Sequence, residues 1–153
     1  MVFRILVYSL LLTGMAVPGA IAADTENKPT EQQKATASEK LNAAVTAAQS
    51  WLEIIDSGKY TESWNQTALI FKNKIPQGQW DTTLRQVRSP FGKLVLREIS
   101  AVQYVTNIPG APMGQYVIIQ FKTDFQDKHG SVETITPTLE PDGVWRVAGY
   151  YIK

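Results

Sequence analysis

Glu98, Glu133 and Tyr151 are the side chains of this chain whose spacing could support acid/base chemistry. If the loop Asn107–Gly114 is symmetric, Glu98 falls opposite Thr123. If Gln126–Gly130 closes the next hairpin, Thr123 falls opposite Glu133, and the last turn then sets Glu133 opposite Tyr151. The four would form one cross-sheet row on the face that carries Phe121, Ile135, Leu139, Trp145 and Val147. Two carboxylates on an apolar face have pKa values raised by burial and mutual repulsion. Glu98 or Glu133 could then act as a base and Tyr151 as a donor, moving a proton on, or hydrating, an apolar substrate. Two considerations oppose this reading. A one-residue slip sends a strand's side chains to the other face, and Arg88 or Arg97 would make either carboxylate half of a structural ion pair.

Other groups offer less. Trp51, Trp64, Trp80 and Phe121 could line a ligand cage, but aromatics at helical and strand spacing are more often core. His129, in the turn Asp127-Lys128-His129-Gly130, has too few neighbouring ligands for a metal site. The loop glycines form no phosphate-binding motif. With no cysteine and one histidine, disulfides, thiolate zinc sites, cysteine nucleophiles and most His-based triads are excluded. Neither a metal nor a cofactor is expected.

The elements that must position these residues follow from periodicity. Ser38 is a candidate N-cap, and Leu41, Ala44, Val45, Ala48, Leu52 and Ile55 make one apolar helical stripe that Gly58 ends. A second helix is expected over Thr61–Asn73, stopped by Pro76, and a third over Gln79–Arg88. After the turn Ser89–Gly92 the period changes. Lys93–Thr106 is strand-like and too long to run without a bulge. Gln115–Phe125 alternates, with Val117, Ile119, Phe121 and Phe125 on one face. Ser131–Glu140 and Val144–Ile152 flank Pro141-Asp142-Gly143, a tight hairpin turn. Helices followed by sequential strands predict an α+β domain over residues 38–153, three N-terminal helices packed on a four-stranded antiparallel meander.

The N-terminus reads as an address. Arg4 precedes a mostly apolar run over Ile5–Val17, and Ala20-Ile21-Ala22 fits a small-x-small cleavage pattern. That run is shorter than the roughly 20 residues needed to span a bilayer. Residues 1–23 are therefore expected to be a secretory signal peptide, with the mature chain starting at Ala23 or Asp24. Residues 24–37 are polar and expected to be a disordered tether. Secretion without cysteine points to a bacterial periplasm. Without Arg4 the chain has 14 basic and 14 acidic residues. A zero net charge argues against a nucleic-acid groove or a polybasic membrane patch.

Several pieces carry a family resemblance. They are Ala48-Gln49-Ser50-Trp51-Leu52, Asp56-Ser57-Gly58-Lys59-Tyr60, Ser63-Trp64, Phe71-Lys72, Arg88-Ser89-Pro90-Phe91-Gly92, Glu133-Thr134-Ile135-Thr136 and the run Asp142–Tyr151. Together they resemble the bacterial family known as domain of unknown function 4019. That family is similar in layout to the nuclear transport factor 2-like, or cystatin-like, superfamily, which implies helices cradled by a bent sheet in a cone. The resemblance implies no catalytic residue. Three functions are left: a non-catalytic module binding a small apolar ligand or a protein, a small cavity enzyme, and an assembly subunit that homodimerises through its sheet.

Overall fold

The computed structural model describes residues 30–153. The expected signal peptide and residues 24–29 of the expected tether lie outside the described residues. Helix α1 covers Glu31–Asp56, α2 Tyr60–Asn65, α3 Leu69–Lys74 and α4 Gln77–Arg88. A 3-10 turn over Ser89–Phe91 leads into strands β1 (Leu94–Val105), β2 (Tyr116–Phe125), β3 (Ser131–Leu139) and β4 (Trp145–Ile152). The class is α+β, and the strands form one antiparallel sheet in the order β1-β2-β3-β4.

Helix α1 starts at Glu31, not after Ser38. Thr30 and Gln33 form a capping box: the Thr30 amide donates to Gln33 Oε1 at 2.8 Å, and the Gln33 amide donates to Thr30 Oγ1 at 3.3 Å. Residues 31–37 of the expected tether are therefore the first turns of α1. Their polar composition ruled out burial, and Glu31–Glu39 are indeed exposed. It did not rule out a helix, because Gln, Lys, Glu and Ala are good helix formers. Farther along, Ala44, Ala48, Trp51, Leu52 and Ile55 are buried.

The expected helix Thr61–Asn73 is two helices, so the domain has four rather than three. Thr67 Oγ1 donates to the Trp64 carbonyl at 2.7 Å, offering the backbone a local alternative to the helix. Thr67 then pairs in parallel with Val147, and the Ala68 amide donates to the Val147 carbonyl at 2.9 Å. The chain leaves the helix to pair with β4, and Glu140 Oε1 caps the resumed helix at the Leu69 amide, 2.8 Å away.

Entry to the sheet depends on Gly92. It has φ 71°, and a Cβ there would collide with the Asp127 carboxylate. No non-glycine residue fits that turn without strain. Helix α1 lies mainly over β3 and β4 and touches β1 only marginally. The core therefore fills the β2–β4 side of the sheet.

Candidate functional site

The expected row of acids is not the one that forms. Near the loop after β1 the symmetric register holds: Val105 pairs with Tyr116 and Ala101 with Gln120. A bulge between Ile99 and Ala101 then adds one residue, so Thr123 faces Arg97 instead of Glu98. A second bulge does the same on the last hairpin. Pairs from Leu139↔Trp145 to Pro137↔Val147 follow the turn, and the irregularity after Thr136 brings Tyr150, not Tyr151, onto the inner face opposite Ile135. Glu98 sits on the outer face opposite Lys122 and is exposed. Tyr151 pairs with Thr134, also on the outer face. The turn between β2 and β3 shifts the pairing by two residues, so Glu133 faces Phe121 and not Thr123. A two-residue shift preserves the face, and Glu133 is fully buried.

Two bulges thus turn the expected row of two carboxylates and a phenol into an ion-pair network. Arg97 Nε donates to Glu133 Oε2 at 2.6 Å, while its Nη1 and Nη2 grip Asp56 at 2.6 and 3.1 Å. Arg88 Nη2 donates to Asp56 Oδ1 at 2.7 Å, and Arg88 Nη1 lies 3.6 Å from Glu133 Oε1. Thr123 Oγ1 and Tyr150 OH donate to Glu133 at 2.7 and 2.8 Å. The Arg88 guanidinium also stacks 4.3 Å over the Phe125 ring. Two guanidiniums and two carboxylates leave no net charge. The network ties the ends of α1 and α4 to all four strands.

Burial opposes charge on Arg97, but its hydrogen bonds to Asp56 and Glu133 outweigh that cost and hold its pKa above the ordinary value. Burial pushes the Tyr150 phenol well above its ordinary value, and the Glu133 charge adds to the effect. A general base must reach a substrate proton. Both Glu133 oxygens are occupied by donors of the protein itself. The arrangement can lock the helices to the sheet, and it has no lone pair aimed at open space.

Asp56 was not singled out from the sequence, although a signal existed. It ends α1, whose last turn carries no basic residue. A negative charge at a helix C-terminus opposes the helix dipole, so it calls for cations from elsewhere in the chain.

The aromatic candidates are core. Trp51, Trp80 and Phe121 are buried. Trp80 packs edge-on to Phe71 at 5.0 Å, and Trp51 to Tyr150 at 5.4 Å. Both indoles are satisfied through Ser63, by its carbonyl at 2.8 Å and its hydroxyl at 3.0 Å. Trp64 is only half-buried, with its indole N–H on the Ile75 carbonyl. His129 is exposed, 3.7 Å from Asp124. Among the described residues no group of three or more His, Cys, Asp or Glu is placed to hold a metal ion.

Open space lies at the other end of α1. A groove of about 410 Å³ runs between its first turns and β1, lined by Gln32, Gln33, Thr36, Ala37, Lys40, Leu41 and Tyr104. That volume is within the range of small-molecule sites, roughly 300–1,000 Å³. Gln115 Oε1 accepts from both Lys40 Nζ and Tyr104 OH at 3.1 Å, which fixes one end of the groove. On the same face of β1 as Tyr104, which is 41% exposed, Ile99 is 43% and Val102 39% exposed.

A family model described as protein of unknown function (DUF4019) matches residues 47–150. No curated protein and no solved structure matches the chain significantly.

Proposed function

The chain belongs to the DUF4019 family, and from that premise we propose that it is a non-catalytic binding module of the bacterial periplasm, whose binding surface is the groove between α1 and β1. One observation carries the reading. The buried carboxylate accepts three hydrogen bonds, from Arg97, Thr123 and Tyr150, while the adjoining edge of the sheet leaves apolar side chains half-exposed beside a groove. Apolar surface that the fold could cover and does not is a mark of interaction sites. The secretory character of residues 1–23 and the lack of cysteine support the periplasmic address. No helix among the described residues is long and apolar enough to cross a membrane. The cone of the nuclear transport factor 2-like superfamily is part of this proposal. It is supported by the chain order, helices first and then a meander, and by α1 lying across β3 and β4.

A titration with the neutral apolar dye Nile red tests the groove. The mature protein should bind it saturably. Ala37→Glu places a charge on the exposed groove wall and should weaken binding about fivefold or more, the equivalent of roughly 1 kcal/mol of lost apolar contact. Absence of saturable binding, or equal binding by the variant, would contradict the proposal.

A further inference from the structure

Lys40 differs from the other cations that the fold partly encloses. Arg88 and Arg97 are held by Asp56 and Glu133. Lys40 is also partly buried, but its Nζ donates only to a neutral acceptor, Gln115 Oε1 at 3.1 Å. Among the described residues it forms no ion pair. Glu31, one turn or more away, is taken by Lys34, and Glu39 is exposed. A lysine stem lying on apolar surface ordinarily carries its ammonium out to water. Here Gln115, whose Oε1 also accepts from Tyr104 OH at 3.1 Å, holds the ammonium at the wall of the groove between α1 and β1. An ammonium has three N–H donors, so two are left for a ligand.

We propose that the groove takes a free medium-chain fatty carboxylate, with the carboxylate on Lys40 Nζ and the alkyl chain along Ala37, Leu41 and the Tyr104 ring. The proposal rests on the groove being the binding surface and names the ligand class for it. Charge complementarity selects the head. One unpaired ammonium matches one negative charge, and binding supplies the counter-charge that the fold does not. A phosphate dianion, or a carboxylate gripped at both oxygens, calls for the fork of an arginine, and no arginine lines the groove. The wall selects the tail. Its helical side runs from Gln32 to Leu41, about 13 Å along the axis, which is the length of a medium-chain acyl group. A peptide laid there would bring amides that need partners. Ala37 and Leu41 offer none, and Gln33 Oε1 already accepts from the Thr30 amide at 2.8 Å. An alkyl chain needs no partner, and it fits a volume of about 410 Å³ that is open along one side.

Displacement of bound Nile red from the mature protein tests the head group, with dodecanoate and its neutral analogue dodecanol as competitors below their aggregation limits. The alcohol is the more apolar of the two, so burial alone ranks it first. Dodecanoate should nevertheless displace the dye at about tenfold lower concentration, the contribution of one partly exposed charge-assisted hydrogen bond. Lys40→Gln should abolish that preference and leave the dye affinity within about twofold, since the apolar wall is unchanged. Lys40→Arg should keep the preference. Lys34→Gln, which removes a positive charge outside the groove, should alter neither. If Lys40→Gln fails to fold, the wild-type ranking decides alone. A wild-type protein that binds the dye but takes the alcohol as well as the carboxylate, or neither, overturns the proposal and leaves the groove standing. So does a folded Lys40→Gln protein that still prefers the carboxylate. A protein with no saturable dye binding overturns the groove and its ligand together.

Discussion

Strands β1 and β3 belong to the same sheet and have opposite fates. Strand β1 is rich in Leu, Val, Ile and Tyr, yet nearly all of it is exposed. Strand β3 carries Ser131, Glu133, Thr134, Thr136 and Thr138, yet its inner face is buried from Ser131 to Pro137. The difference lies in what surrounds each strand. Strand β3 has a neighbour on each side and α1 above it, whereas β1 has one neighbour and almost no helix. Burial follows position in the sheet more than composition. At the buried position Glu133 is held in an ion-pair network, and apolar groups at the uncovered position stay exposed.

The largest expected effect tests the covered side. Trp80→Ala should lower stability by about 3–5 kcal/mol, the range for a buried aromatic in a packed cluster. Half-buried Trp64→Ala should cost less, and Tyr104→Ala on β1 under about 1.5 kcal/mol, because most of its contact is with solvent. Urea denaturation measures all three, and equal losses at Trp80 and Tyr104 would erase the contrast. Next comes charge. Glu133→Gln leaves two buried guanidiniums facing Asp56 alone and should cost about 3 kcal/mol, as breaking one side of a buried pair does. Glu98→Gln, on the exposed outer face, should stay within about 0.5 kcal/mol. The same denaturation curves separate them.

The third effect is a pH dependence. The folded state keeps Tyr150 protonated above its ordinary value, because burial and the Glu133 charge disfavour phenolate. Above pH ~10 the unfolded chain releases this proton and the folded chain does not. The unfolded state then binds fewer protons, so stability falls as pH rises, by about 1.4 kcal/mol per unit from this group. Below pH 10 its contribution is fully present. Tyr150→Phe should flatten the alkaline limb of the stability profile relative to wild type, and an unchanged limb would show that the phenol ionises freely. The smallest stability effect is at the groove, where Ala37→Glu should leave the melting temperature within error while weakening dye binding.

Much of this contrast was legible in the sequence. The alternation of Val117, Ile119, Phe121 and Phe125 marked the inner face of β2, and Pro141-Asp142-Gly143 marked the last hairpin. Glu133 shares the face of Ile135 because two residues separate them. What escaped was local. Turn geometry set the register beside the first and last loops, and missed it by two residues at the turn between β2 and β3; no residue type announces the extra residue at Ser100 or near Ala148, so Arg97 and Tyr150 stood one position from the residues expected. The break at Thr67 depends on pairing with Val147, eighty residues away. The start of α1 depended on Thr30 and Gln33, a capping pair hidden in a segment whose polarity suggested only lack of burial. The exposure of β1 was not readable at all, since it depends on where α1 lies.

Amide hydrogen exchange of the mature protein, followed by mass spectrometry over a dilution series, tests the contrast between the two strands most directly. At high dilution the β1 amides that point away from β2 should exchange far faster than those of β3, which should open only with global unfolding. A β1 segment as protected as β3 at every dilution, or a β3 segment that exchanges as fast as β1, would contradict the division between a closed base and an open edge.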